Sequence, residues 1–210
     1  MCGRFTQQRP TSELAEIFGA EDRIVLPGGH FNVAPTQDAA VVVQREDRRA
    51  IVAYRWGLVP HWARDLKIGS RMFNARSETL ASSPAFRDAL ARRRCIVPAD
   101  SFYEWKREGK TRQPYRILRE DEKPLALAGL WSGWKDPASG EWTRTFTIIT
   151  GDPNEVVSDL HDRMPVVLPD GLWERWLDPT TPDPGELLAM LQEPWEELSL
   201  IAYPVTTAVN

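Results

Sequence analysis

Cys2 stands directly behind Met1, in the run Met1-Cys2-Gly3-Arg4-Phe5. Once Met1 is removed, such a cysteine carries an α-amine and a thiol on adjacent carbons, a pair no internal residue can offer. The amine condenses with an aldehyde to an imine. The thiol then closes onto the imine to give a five-membered thiazolidine, more durable than the imine alone. An α-amine titrates near ~7.7–8.0, so roughly a tenth is neutral at pH 7, and a free thiol near ~8.5 is also partly ionised. Against this stands the plain reading of a cysteine in a loose terminus. Gly3 lets backbone pass close to a ligand, and Arg4 suits a phosphate beside the nucleophile.

Further along, Glu104 sits in Ser101-Phe102-Tyr103-Glu104-Trp105. As a strand this run has aromatics on both faces, which implies burial on both sides. A carboxylate there is costly unless paired or functional, and burial raises its pKa toward the range useful for proton transfer. It is either a proton-transfer group or the partner of an arginine. His161, in Leu160-His161-Asp162-Arg163-Met164-Pro165, follows a short helix. It is either a general acid/base or a helix-end cation. Asn74 and Arg76 lie in the polar run Asn74-Ala75-Arg76-Ser77-Glu78-Thr79. They could hold a substrate oxygen and a phosphate, or Asn74 could serve a local turn. Trp62, between His61 and Ala63, is the better candidate of the Trp56/Trp62 pair for stacking on an unpaired base. Thr150 closes an apolar run and is read as a polar lining residue. His30 and His61 are read as surface or packing residues, and Cys95 as a core residue.

Composition limits what these residues can serve. The chain of 210 residues is long enough for one sizeable core, read as a single domain over 1–210. No apolar run is long enough for a bilayer and no signal-peptide segment opens the chain, so a reducing, cytoplasmic location and a monomer without a membrane partner are expected. Two cysteines make no disulfide framework, and they and three histidines at scattered spacings give no metal signature. No cofactor motif is present. Net charge of −4 argues against a generally basic nucleic-acid binder. The average conceals an asymmetry: residues 1–105 hold 15 Lys/Arg against 12 Asp/Glu, net +3, and residues 106–210 hold 11 against 18, net −7. Nearly all the basic residues of the first half are arginine, which permits a local phosphate-binding face.

The elements that must position these groups are short. A helix is expected over Thr11 to Phe18, capped by Thr11 or Ser12, with Leu14, Ile17 and Phe18 on one face. Pro27-Gly28-Gly29 reads as a turn and Phe31 to Gln37 as an irregular segment. Ala39 to Val43 and Ala50 to Trp56 read as a hairpin. A helix is expected to open at Ser83-Pro84 and to end in Arg92-Arg93-Arg94. Strands follow at Cys95 to Val97, Phe102 to Lys106, Tyr115 to Leu118, Leu125 to Trp134 and Thr145 to Thr150. A short helix opening at Asp152-Pro153-Asn154-Glu155 delivers His161. Helices over Leu172 to Leu177 and Glu186 to Gln192, and a strand over Ser199 to Val205, complete an α+β chain with an antiparallel barrel-like core and short surrounding helices.

The same stretches, in the same order, resemble the SOS-response-associated peptidase family. They are Met1 to Phe5, Phe31 to Gln37, Trp56 to Trp62, Phe73 to Thr79, Arg94 to Ala99, Phe102 to Trp105, Ala128 to Trp131 and His161 to Pro165. Two departures are visible: Ser101 stands where the family commonly has glycine, and relatives usually continue beyond Asn210, so a short C-terminal segment is expected to be absent. The resemblance implies a β-barrel-like core. It also implies capture of abasic sites in single-stranded DNA as a covalent link through Cys2. By position, Cys2, Asn74, Glu104 and His161 form the implied catalytic set, and Arg4, Trp62, Arg76, Thr150 and Arg163 the implied DNA contacts. The alternatives are a cysteine-type peptidase built on Cys2 and a non-covalent single-strand DNA-binding module.

Overall fold

The computed structural model describes residues 2–109, 111–180, 183–192 and 198–209. Its elements, in chain order, are β1 (Arg4–Gln7), α1 (Thr11–Phe18), β2 (Ala20–Asp22), β3 (His30–Val33), β4 (Asp38–Arg45), β5 (Arg48–Trp56), β6 (Asn74–Arg76), α2 (Arg87–Arg92), β7 (Arg94–Ala99), β8 (Ser101–Glu108) and β9 (Thr111–Arg119). They continue with β10 (Leu125–Lys135), β11 (Trp142–Gly151), α3 (Glu155–Ser158), β12 (Met164–Pro165), α4 (Trp173–Leu177), α5 (Pro184–Gln192) and β13 (Leu200–Pro204).

Five strands close on themselves. β11, β10, β7, β4 and β5 pair side by side in antiparallel fashion. The seam is then shut by a parallel pairing of β5 with β11, Arg55 opposite Thr145 and Trp56 opposite Phe146. The barrel expected from the many short strands is present, with one parallel seam where all-antiparallel pairing was expected. Side chains alternate across the sheet. Val41, Val97, Leu127, Phe146 and Ile148 fill the interior. Val42, Ile51, Ile96 and Leu130 face outward onto Leu14 and Phe18 of α1, Leu90 of α2, Trp176 of α4 and Leu187 of α5. A second antiparallel sheet, ordered β13-β9-β8-β1-β3, packs Phe5, Phe102 and Ile117 onto the apolar residues of the barrel interior.

Local chemistry explains where the elements depart from their sequence pattern. α1 has the expected span, but its N-cap is Pro10 and no side chain caps it. The Thr11 hydroxyl instead donates to the Asp22 carboxylate at 2.6 Å, which ties the helix to β2. Ile17 is 38% exposed, and Ala15 takes its place on the buried face. The helix expected from Ser83 begins only at Arg87, after a turn in which the Ser83 carbonyl accepts from the N–H groups of Phe86 and Arg87 at 3.1 and 2.9 Å. Phe31 to Gln37 is not irregular throughout: its first residues belong to β3, which pairs with β1.

Ser101, the residue that replaces the family's glycine, is wholly buried. Its hydroxyl bonds Thr6 at 2.8 Å and accepts from Arg116 at 2.9 Å, joining β1, β8 and β9. Arg94, expected at an exposed helix end, is only 3% exposed. Its guanidinium donates to the carbonyls of Leu90 at 2.6 Å, Ala91 at 2.7 Å, Trp176 at 2.6 Å and also Asp178. One cation thus satisfies the C-terminal carbonyls of two helices, groups that have no partner within their own helix. Arg94→Met leaves those carbonyls buried and unbonded. It is expected to cost about 3 kcal/mol and to lower the melting temperature by roughly 6–12 °C, as read by thermal unfolding.

Candidate active site

Two backbone arrangements bring the chemistry together. Trp56, at the end of β5, stacks on Phe146 with ring centroids 6.2 Å apart, and its indole N–H donates to the Phe73 carbonyl at 2.8 Å. Gly57 follows at φ 120°, and a Cβ there would sit 2.4 Å from the Gly69 carbonyl oxygen. Only glycine lets the chain turn here under the 57–72 loop. The loop returns as β6, which runs parallel to β11 with Asn74 opposite Ile148. The second arrangement is the pairing of β1 with β8, Arg4 opposite Tyr103 and Phe5 opposite Phe102. Continued by one residue, that register sets Gly3 across from Glu104.

Cys2, Asn74 and Glu104 therefore share one enclosure. The Asn74 side-chain N–H donates to the Cys2 carbonyl at 2.8 Å. Its Oδ1 is buried and accepts no hydrogen bond among the described residues. An amide with one end fixed to Cys2 and an acceptor unused is placed to receive a donor from outside the chain. Cys2 is fully buried and Glu104 is 2% exposed. Burial pushes the Glu104 carboxyl up to about 7 from the ordinary 4.5, and the Asp162 carboxylate pushes the same way. The Cys2 thiol is pushed far above its ordinary value, chiefly by burial and then by Glu104. Burial in this enclosure thus disfavours the thiolate.

His161 arrives as the sequence suggests. The Asn154 side chain caps α3 by accepting from Val157 N–H at 3.1 Å, and His161 N–H bonds the Val157 carbonyl at 2.8 Å. Its Nδ1 accepts from the Arg163 backbone N–H at 3.0 Å and lies 2.7 Å from an Asp162 carboxylate oxygen. Burial above all lowers the imidazole pKa, against the pull of Asp162, with the Arg107 charge a smaller contribution in the same direction as burial. Asp162 influences both His161 and Glu104, so the two proton-transfer candidates share an electrostatic neighbour.

The other predicted residues divide. Arg76 is exposed at the end of β6, beside Thr150 in register, with no ion pair within 4.0 Å among the described residues. Trp62 is 52% exposed on the 57–72 loop, as a stacking platform must be. Arg4 is engaged: its Nη1 donates to Asn32 Oδ1 at 3.0 Å and to the Val209 carbonyl at 2.7 Å. Thr150 is 1% exposed, opposite Arg76 and Pro165 in register, and its carbonyl accepts from Arg163 at 2.7 Å. Arg163 forms a two-pronged pair with Glu78 at 2.9 and 2.8 Å. This pair holds the Glu78 carboxyl below its usual range. Sequence reasoning gave no role to Glu78, Asp162 or Asn32. Each stands inside a quoted motif, but an acidic or amide neighbour has no spacing signature that would single it out.

Comparison with known proteins decides the family. The description of the SOS response associated peptidase (SRAP) family matches residues 1–210. The chain belongs to this family. An SRAP relative from Bacillus subtilis strain 168, the abasic site processing protein YoqW, is 44% identical over 215 residues, covering all of this chain and 94% of the relative. The abasic site processing protein YedK of Escherichia coli K12 is 30% identical over 84% of this chain and 79% of its own length. A crystal structure of a protein from Bacteroides thetaiotaomicron superposes with a TM-score of 0.89 at 27% identity, over 98% of this chain and 93% of that one. The SRAP barrel seen here is thus that of its solved neighbours.

Proposed function

We propose that this SRAP chain processes abasic sites in DNA by capturing them, in single strands, as a thiazolidine on Cys2 after loss of Met1. The observation that carries the reading is the shared enclosure of Cys2, Asn74 and Glu104, with Asn74 bonded to the Cys2 carbonyl. The names of the relatives, abasic site processing proteins, point to the same substrate. While Met1 is attached, the Cys2 nitrogen is an amide and cannot attack a carbonyl, so its removal is the switching step.

Abasic deoxyribose is mostly a closed hemiacetal. His161 in its imidazolium form gives a proton to the ring oxygen, and the neutral imidazole so formed takes the proton from the anomeric hydroxyl, which releases the aldehyde. The Cys2 amine adds to the aldehyde carbon; the oxygen that was the carbonyl takes a proton from the His161 imidazolium to become the carbinolamine hydroxyl, and Glu104 takes the proton that the nitrogen sheds. Glu104 returns that proton to the carbinolamine hydroxyl, which leaves as water to give the iminium. The Cys2 sulfur then bonds to the same carbon, the thiol proton passes to Glu104, and nitrogen retains its hydrogen. A carboxyl with a pKa of about 7 suits this exchange because both forms are populated at neutral pH. Arg4 and Arg76 would hold the flanking phosphates and Trp62 a neighbouring base, with Thr150 and Arg163 closing the wall behind the sugar. A protease acting on other chains would need a thiolate, and burial together with Glu104 drives Cys2 the other way.

The test is a denaturing gel. Protein lacking Met1, mixed with a single strand containing one abasic site, is expected to give a shifted band; the intact strand is not. No shifted band at any time or pH overturns the proposal. A second test concerns Asn74. Asn74→Ala frees the Cys2 carbonyl and removes the unused acceptor, and is expected to slow single-turnover linking about 10–100-fold. Binding of the intact strand should change far less.

A further inference from the structure

The barrel end away from Cys2 carries a ring of groups that the capture reaction does not use. Arg45 of β4, Arg93 just ahead of β7, Trp131 of β10 and Arg144 of β11 all fall on the register whose other members fill the interior. Val43 opposes Cys95, so two residues on Arg45 comes opposite Arg93. Gly129 opposes Cys95 as well, so Trp131 flanks Arg93 on the other side, and its N–H donates to the Arg93 carbonyl at 2.8 Å. Arg144 lies over the Trp131 ring with Cζ 5.9 Å from its centroid. The Tyr54 ring is 5.6 Å from that of Trp131, and its hydroxyl accepts from Arg45 at 3.2 Å.

Three guanidinium groups so placed raise the question of what balances them. Among the described residues, none of Arg45, Arg93 and Arg144 has a carboxylate within 4.0 Å, whereas the nearby Arg48 has Asp47 at 3.9 Å. Arg93 Nε is buried and bonds nothing. Glu46 with Asp47 and Asp136 with Glu141, the carboxylates closest in sequence to Arg45 and Arg144, lie in the two turns beyond, and Asp88, the closest to Arg93, sits in the first turn of α2. Next to Arg144, Trp142 is 67% exposed, and its ring packs over Gly133, where a Cβ would come within 3.5 Å of it. In a chain of net charge −4, an uncompensated arginine cluster beside an exposed indole is a local exception, and its chemistry is that of phosphate contact and base stacking.

We propose that this barrel end is a second contact for the nucleic-acid strand, with Arg45, Arg93 and Arg144 on backbone phosphates and Trp142 under a base. The proposal deepens the function proposed above and rests on it for the identity of the ligand. From Arg144 to Ile148, the residue beside Asn74, is four strand positions, or about 13 Å at ~3.3 Å per residue. At ~3.4 Å per stacked nucleotide, the two contacts are at least about 4 nucleotides apart. A short strand can engage the Cys2 enclosure alone, and a longer one can engage both.

The experiment compares the full chain with the Arg45→Gln/Arg144→Gln double variant and, because Arg45 also bonds Tyr54, with Arg144→Gln/Trp142→Ala, both exposed positions. Probes are intact single strands of 6 and 20 nucleotides, and inorganic phosphate, at a series of salt concentrations. For the 20-mer, the double arginine variant should bind about tenfold more weakly, with a log–log salt slope shallower by about 1.4 for two lost phosphates. The tryptophan variant should lose at least about fivefold. The 6-mer, barely long enough to reach both contacts, should lose less than the 20-mer. Equal 20-mer affinity and slope in variant and parent overturn the proposal, as does protection of the site by phosphate with no effect on the 20-mer. Binding of an intact strand requires no covalent step, so this outcome is read independently of whether Cys2 links. Linking of an abasic 6-mer on a denaturing gel, unchanged in the variants, separates the two failures from the other side.

Discussion

Cys2→Ala, with its initiator methionine removed, is expected to yield no DNA-linked species that survives heating in denaturant. The variant keeps an α-amine at the same place, because alanine is as small as cysteine and the Asn74 bond is to the backbone carbonyl of residue 2. It therefore still condenses to an imine, which water reverses. Reduction with borohydride during incubation should trap that imine and restore a band, while wild type needs no reductant. This pair of outcomes separates the two halves of the chemistry: amine attack without the thiol, and ring closure with it. The loss in the unreduced sample should exceed about 1000-fold in stable product, since nothing else in the enclosure can add to the iminium carbon: Cys95 is buried inside the barrel, beneath Gly129. A heat-stable band from Cys2→Ala at wild-type level would end the thiazolidine mechanism. If instead neither band appears with reductant present, the amine of residue 2 is not the nucleophile at all.

How far the sequence discloses this arrangement depends on the kind of signal. α1 was legible because Leu14 and Phe18 recur at helical spacing and Gly19 ends the helix at φ 58°. The hairpin β4–β5 was legible from its β-branched runs, although the strands extend to a two-residue turn, Glu46-Asp47. Strands β1, β2, β6 and β12 were not read. They are two to four residues long, and their pairing is set by distant partners rather than by their own pattern. That loss matters for the site, since β1 and β6 are the elements that carry Cys2 and Asn74 to Glu104. Glu104 itself was legible as a carboxylate between aromatics. Asn74 was not resolved by its residue type, which fits a local turn equally well; only its 2.8 Å bond to the Cys2 carbonyl separates the readings. Arg163 shows the reverse case. Its motif implied a DNA contact, while the structure commits its guanidinium to Glu78 85 positions earlier in the chain, a pairing that no spacing rule could supply.

Glu104→Gln is expected to separate catalysis from stability with opposite signs. The carboxylate form accepts the protons released by the Cys2 amine and thiol, so linking by wild type should rise with pH through about 7 and then level off. Glutamine cannot accept a proton, so this limb should vanish and the rate at pH 8 should fall about 100–1000-fold. Stability should move the other way. Folding raises the Glu104 pKa from 4.5 to about 7, so the native state holds this proton more tightly than the unfolded chain does. Below pH 4.5 both states are protonated and nothing is lost. Between 4.5 and 7 the native state becomes progressively less favoured, and above 7 the full cost of about 3 kcal/mol is reached. Glutamine is neutral at every pH and escapes that cost while keeping the shape of the side chain. At pH 8 the variant should therefore melt roughly 6–12 °C above wild type, with the gap closing as the pH falls toward 4. Equal melting curves at pH 8, together with a preserved pH limb in the linking rate, would mean that Glu104 is neither strained by its burial nor the base. A wild-type linking rate with a raised melting temperature would leave the burial argument standing and move the proton transfer to His161.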